Sequence, residues 1–218
     1  MRPTMISVSG FSSNVGKTTL LCDLLKLFPG WEAIKVSRGH YRSCGKSPSA
    51  CCISPLLGEK PLVLSGREST YAEGKDTGRY WDAGASNAHW VVCTSGQVED
   101  GVGSALSRVR SEGVFIEGTS LLRYFPVHYS IMVARTQSHE IKSSAARVIS
   151  KVDAVYIASM DGTGEDSREI RERLMRRGTI PRDLPVDFAR DAESLAAIIG
   201  GIHASRLARA EGGIITAP

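Results

Sequence analysis

Residues 10–19 read Gly10-Phe11-Ser12-Ser13-Asn14-Val15-Gly16-Lys17-Thr18-Thr19, between a short apolar run, Met5 to Ser9, and a segment of helical period. That segment, Lys17 to Phe28, carries Leu20, Leu21, Leu24, Leu25 and Phe28 on one face and stops before Pro29-Gly30. A strand that turns through glycines straight into an amphipathic helix leaves few folds open. The glycines let the backbone wrap so that its N–H groups point inward, and the helix start adds partial positive charge. Lys17 supplies a mobile cation for outer phosphate oxygens, and the Thr18 hydroxyl is placed to ligate Mg²⁺. The expected ligand is a nucleoside triphosphate with Mg²⁺, contacted by Gly10, Ser12, Ser13, Asn14, Val15, Gly16, Lys17, Thr18 and Thr19.

Beyond the loop, short Val- and Ile-rich runs alternate with longer helical-period segments. This is the pattern of an α/β fold, a mostly parallel central sheet with helices on both faces. Strands are expected near Met5–Ser9, Glu32–Ser37, His89–Thr94, Val114–Glu117, Ser130–Ala134, Ala154–Ser159 and Leu184–Asp187. Helices are expected over Lys17–Phe28, Val98–Arg110, His139–Ser150, Ser167–Arg176 and Ala192–Ile199. The stretch from Gly39 to Glu73 breaks the rhythm, with only Leu62-Val63-Leu64 strand-like, and reads as an insertion or lid in a single domain spanning 1–218. Residues 212–218 read as a loosely held tail.

Composition narrows the partners. Twenty-seven basic against 23 acidic residues give a net charge of only +4, too small and dispersed to make nucleic acid the leading partner. The densest basic stretch, Arg168 to Arg182, is interleaved with Glu169 and Glu172 and reads as a solvated helix face. No run of about 18 apolar residues occurs, which argues against a membrane span, and the N-terminal residues do not resemble a secretory signal. A cytoplasmic protein is expected, its five cysteines reduced thiols or metal ligands rather than a disulfide framework.

A second acidic partner for the metal is expected at the end of another central strand. Val114-Phe115-Ile116-Glu117-Gly118 offers Glu117 there, with a solvent-facing glutamate as the plainer reading. Five residues separate the loop glycines where four are usual. In this the loop resembles dethiobiotin synthetase, the cobyrinic acid synthases and their relatives in the P-loop superfamily. Residues 74–85, Gly74-Lys75-Asp76-Thr77-Gly78-Arg79-Tyr80-Trp81-Asp82-Ala83-Gly84-Ala85, resemble the Gly-Lys-Asp-Ser/Thr … Ala-Gly-Ala signature of the molybdopterin-guanine dinucleotide biosynthesis adaptor family. Lys35 and His40 are similar to that family's strand-end lysine and nearby histidine, and the order of segments through Glu117 is also the family's. The resemblance covers roughly residues 4–135. It implies a GTP-binding accessory protein of molybdenum-cofactor assembly, slow in GTP hydrolysis, serving a cofactor-biosynthesis partner enzyme, with Lys17 and Glu117 in catalytic positions and Asp76 and Glu117 near Mg²⁺. Helix capping by Asp76 or Thr77 is the competing reading. Departures from the family are the long insertion after His40, the stretch Arg79-Tyr80-Trp81, and the strand-helix units after Ala134.

Two further features stand apart. His40, Cys44, Cys51 and Cys52 gather four soft or borderline ligands, enough for zinc or an iron-sulfur cluster, although their spacing misses the established zinc patterns and ordinary loop thiols are the alternative. Cys22 and Cys93 read as core residues. Asp161, after the Ala154–Ser159 run, is a candidate contact to a purine base, with a simple Asp-Gly turn as the alternative. Lys35 is a candidate nucleotide-site residue, and in a ligase or kinase it would hold a substrate carboxylate or phosphate. A GTP-binding adaptor leads, an ATP-dependent ligase or kinase of the dethiobiotin synthetase type follows, and a metal-loop sensor with a nucleotide switch is third. A homodimer is compatible with each.

Overall fold

The computed structural model describes residues 2–39, 53–135, 141–158, 167–176, 180, 187–189 and 191–212. Eight strands form one sheet: β1 (Thr4–Gly10), β2 (Glu32–Arg38), β3 (Leu62–Ser65), β4 (Ala88–Cys93), β5 (Gly113–Glu117), β6 (Tyr129–Arg135), β7 (Ala154–Ala158) and β8 (Asp187–Ala189). Their order is β3-β4-β2-β5-β1-β6-β7-β8, every pairing parallel except β3 with β4. The helices are α1 (Lys17–Leu27), α2 (Arg67–Thr70), α3 (Asp76–Asp82), α4 (Val98–Leu106), α5 (Ser143–Ala146), α6 (Ser167–Arg176) and α7 (Ala192–Gly212).

Alternate residues of the inner strands feed two separate cores, because successive side chains on a strand point to opposite faces. Val114, Ile116, Met132, Ala134, Val155 and Ile157 meet α4 and α6 on one face. Phe115, Ile131, Val133 and Ala154 meet Leu20, Leu21, Leu24 and Leu25 of α1 on the other, where α3 and α7 complete the layer. Burial on both faces is why the parallel strands read as continuous apolar runs rather than alternating ones. Each fully buried leucine of α1 contributes about 1.5–3 kcal/mol, so the phosphate loop is bound at its rear to one of the best-packed elements.

Several boundaries differ from the sequence expectation. The helix expected over His139–Ser150 is one α turn, α5, followed by a 3₁₀ turn at Ile149–Lys151; Val148 leaves helical geometry and both Val148 and Ile149 are buried against the sheet. Residues 136–140 lie outside the described residues. The helix expected to stop at Ile199 runs through Gly200-Gly201 to Gly212, since both glycines face open space and the next turns are tied down. His203 Nδ1 lies 2.8 Å from Thr4 Oγ1, and Arg206 donates to the carbonyls of Arg2 and Pro3. The helix expected over Val98–Arg110 ends at Leu106. Within the stretch read as an insertion, Leu62–Ser65 is an edge strand of the sheet and Arg67–Thr70 a helical turn. The last strand is Asp187–Ala189, and residues 181–186 are not described. On α6, Glu169, Glu172 and Arg176 are exposed while Leu174 is buried, as expected of a solvated helix face. Among the described residues no helix is long and apolar enough to cross a membrane.

A buried polar cluster fastens the β2–β4 side of the sheet. Glu32, only 3% exposed, accepts from the backbone N–H groups of Arg110 and Ser111 at 2.7 and 2.8 Å and from His89 Nε2 at 2.7 Å. His89 Nδ1 lies 2.8 Å from Ser65 Oγ, extending the cluster to β3. Burial alone pushes the Glu32 carboxyl up, but the His89 bond and the two backbone donors outweigh it and hold the carboxyl below its ordinary value. A folded value below the unfolded one, about 4.3 for glutamate, contributes stability above that pH and loses it as pH falls through the folded value. Glu32→Gln is therefore expected to cost about 1–3 kcal/mol at neutral pH and to flatten the acid limb of stability. Urea unfolding across a pH series measures both effects, and parallel profiles for the two proteins would refute the account.

Candidate functional site

The phosphate loop is anchored on both sides of the sheet. Phe11 is fully buried in one core and Val15 nearly so in the other, while Ser12, Ser13 and Asn14 between them face outward. Phe11 N–H donates to Val133 O, and its own carbonyl accepts from Lys142 N–H, so neighbouring segments set the height of the loop. Asn14 and Gly16 take left-handed backbone, φ 57° and 102°, which turns the chain into α1. At Gly10 a Cβ would stand 2.7 Å from Val15 and 3.0 Å from the Lys17 side chain, so the strand end must be glycine for loop and lysine to fold back over it. Helix α1 starts at Lys17 with no side-chain cap, leaving its first-turn N–H groups available to an anion.

In front of the loop lies a cavity of about 410 Å³, lined by Lys17, Thr18, Lys35, Asp76, Glu117 and Arg135 among others. Four separate segments meet there, α1, β2, α3 and β5. Thr18 Oγ1 donates to Asp76 Oδ1 at 3.0 Å and Glu117 Oε2 at 2.8 Å. Lys35 Nζ bridges the other oxygens of the same two carboxylates, 2.6 Å from Asp76 Oδ2 and 2.5 Å from Glu117 Oε1. Sheet register explains half of this: Lys35 on β2 and Glu117 on β5 are directly paired, so their side chains project side by side.

Glu117 is 2% exposed and points into the site, not to solvent. Gly118 makes room for β2: a Cβ there would meet Val36 at 2.9 Å. Asp76 opens α3 but does not cap it. Its carboxylate is turned to Thr18 and Lys35, and Thr77 is committed elsewhere, its hydroxyl donating to Thr70 O at 2.6 Å. Burial pushes the Asp76 carboxyl up, yet Lys35 and Thr18 prevail and hold it below its ordinary value.

Lys17 Nζ rests 3.3 Å from Ser12 O. Burial pushes its ammonium below the ordinary lysine value, with Lys35 and Lys142 adding to the effect and Glu117 opposing it. A half-desolvated cation beside other cations is stabilised by an incoming anion. The set of one hydroxyl and two carboxylates offers hard oxygen donors of the kind Mg²⁺ takes alongside phosphate oxygens, and the cation now held between them is Lys35.

The structure adds residues that the sequence reading passed over. Tyr80, fully buried, donates its hydroxyl to Glu117 Oε2 at 2.5 Å and so orients that carboxylate. It lies four residues after Asp76, one helical turn on, so the spacing was a usable signal. Arg79 Nη2 donates to Thr19 Oγ1 at 3.2 Å, and Lys142 Nζ donates to Ser13 Oγ at 2.5 Å. Lys142 and Arg135 reach the site from distant segments with no local motif. Asp161 and the set His40, Cys44, Cys51 and Cys52 lie outside the described residues. Among the described residues no group of three or more His, Cys, Asp or Glu is placed to hold a metal. Cys22 and Cys93 are buried free thiols, both pushed up to about 11 by burial, as suits core residues.

Strand order, the strand-loop-helix at Gly10–Leu27 and the cavity at the carboxyl ends of the strands define a P-loop NTPase fold. HypB from Helicobacter pylori, solved in complex with nickel, aligns over 100% of this chain and 91% of its own with a TM-score of 0.51 at 12% identity. LpxK from Aquifex aeolicus, in complex with ATP, aligns over 72% of this chain with a TM-score of 0.44 at 19% identity. A Zn(II)-bound triple mutant of the YjiA GTPase aligns over 80% with a TM-score of 0.40 at 15% identity. The chain spans about half the length of the last two, 48% and 55%. No protein-family model matches the chain, and no curated protein sequence matches it.

Proposed function

We propose that this chain is a Mg²⁺-dependent GTP-binding accessory protein that hydrolyses GTP slowly and serves a partner enzyme of molybdenum-cofactor assembly. The observation that carries the nucleotide part is the meeting of Thr18, Asp76 and Glu117 in front of the glycine loop. In this reading the loop N–H groups and Lys17 bind the phosphates, and Thr18, Asp76 and Glu117 hold Mg²⁺, which when bound offsets phosphate charge. Lys17 moves from Ser12 O onto the outer phosphate oxygens. Tyr80 keeps Glu117 oriented throughout.

Slow turnover fits the same geometry. In this reading both carboxylates would be committed to Mg²⁺ beside Thr18, and Glu117 is also held by Tyr80, so neither is free to take a proton from an attacking water. The choice of GTP and of the molybdenum-cofactor role rests on the resemblance of residues 74–85, Lys35 and the segment order to the adaptor family. Equilibrium titration of GTP against ATP, with and without Mg²⁺, tests the reading. Mg²⁺-dependent GTP preference is expected. A clear preference for ATP favours a ligase or kinase of the dethiobiotin synthetase type instead, and absence of triphosphate binding removes the reading altogether.

A further inference from the structure

A second cavity, about 370 Å³, opens beside the phosphate site and shares two residues with it, Lys35 and Asp76. Its other walls include Ile53, Ser37, Tyr71, Ala72, Lys75 and Trp90. The volume is that of a small-molecule site, and the lining joins aromatic and aliphatic surface to lysine ammonium groups.

The walls are held in place. Trp90 on β4 is in register with Lys35 on β2, and its indole N–H donates to Ser37 Oγ at 2.8 Å, which fixes the ring against the floor of the cavity. The segment carrying Tyr71 and Lys75 is pinned at both ends: Trp81 Nε1 donates to Thr70 Oγ1 at 2.9 Å, and Thr77 Oγ1 donates to Thr70 O. Tyr71 is 39% exposed, with the Arg67 guanidinium 4.3 Å from its ring centroid. A partly exposed aromatic ring that lines a cavity, with a guanidinium over the ring, is a surface on which a flat molecule can lie.

Lys35 connects the two cavities electrostatically. Its ammonium is now held by two carboxylates, so its charge is compensated within the phosphate site. A divalent cation taken up by Asp76 and Glu117 would compete with Lys35 for those oxygens and free its ammonium for the second cavity, whose wall it already forms. We propose that this cavity binds a small molecule with a flat apolar body and an anionic group, and that Mg²⁺-triphosphate in the neighbouring site tightens its binding by freeing Lys35. The coupling rests on the nucleotide reading above; the cavity does not.

The test uses 2-naphthoate and 2-naphthyl phosphate as probes, with neutral 2-naphthamide as the control, followed by ligand-observed NMR and tryptophan quenching on the full chain. One of the two anionic probes is expected to bind saturably and about tenfold tighter than the amide, the size of one ionic contact. The preferred probe distinguishes a carboxylate ligand from a phosphate ligand. Tyr71→Ala and Lys75→Ala, both at exposed positions, should each weaken binding about tenfold. A non-hydrolysable GTP analogue with Mg²⁺ should tighten it, and Lys17→Ala should remove that tightening while leaving probe binding itself in place. No saturable binding, equal binding of the amide, or indifference to both Tyr71→Ala and Lys75→Ala overturns the site. Unchanged probe affinity when the analogue is demonstrably bound overturns the coupling. Failure of the nucleotide reading has a separate signature: no analogue binding, with probe binding still weakened in Tyr71→Ala.

Discussion

Lys17→Ala is expected to lower triphosphate affinity by on the order of a hundredfold or more, from loss of two charge-assisted contacts of about 1.5–3 kcal/mol each. The fold should be indifferent to the change. Lys17 makes one long bond, to Ser12 O, and its side chain faces the cavity while Leu20 and Leu21 behind it carry the packing. Its ammonium is half-desolvated and crowded by other cations, an arrangement that favours an anionic partner over an empty site. Titration with a fluorescent triphosphate analogue reads the loss directly, and thermal unfolding checks the fold. Unchanged affinity in a folded variant would mean that the loop is not the phosphate site.

The second large effect concerns the metal. Glu117→Gln keeps the shape of the side chain, removes its charge and turns one acceptor oxygen into an NH₂ donor, so nucleotide binding should persist while the Mg²⁺ concentration required rises roughly 10- to 100-fold, the equivalent of about 1.5–3 kcal/mol. Lys35 retains Asp76 as a partner and Tyr80 can still donate to the amide oxygen, which makes collapse of the site improbable as an explanation for the change. Measuring triphosphate affinity across a Mg²⁺ series gives the answer. A Mg²⁺ dependence identical to wild type would take Glu117 out of the metal site.

The sequence by itself determined the loop, the sheet and the two cores. Gly10, Gly16, Lys17 and Thr18 lie next to one another in the chain, and their conformations are dictated by local sterics: left-handed backbone at Gly16, and a close approach at Gly10 that admits no Cβ. The apolar runs that became β1, β2, β4, β5, β6 and β7 were legible because burial on both faces of a parallel sheet demands unbroken apolar residues. Asp76 and Glu117 could be picked out individually, and only the resemblance to the adaptor family put both near Mg²⁺; nothing local in the chain shows that they meet. Thr18 is 58 residues from Asp76 and 99 from Glu117, and only the strand order and the pairing of Lys35 with Glu117 bring them within hydrogen-bond reach. Tyr80, Lys142 and the cavity beside Trp90 also depend on contacts between distant segments. So did the helix boundaries: α7 continues through Gly200-Gly201 because His203 and Arg206 bind the start of β1, and α5 stops early because Val148 and Ile149 turn into the core. Local propensity differs between conformations by about 1 kcal/mol per residue, whereas burying a large apolar side chain is worth about 1.5–3 kcal/mol, so where the two conflicted packing prevailed.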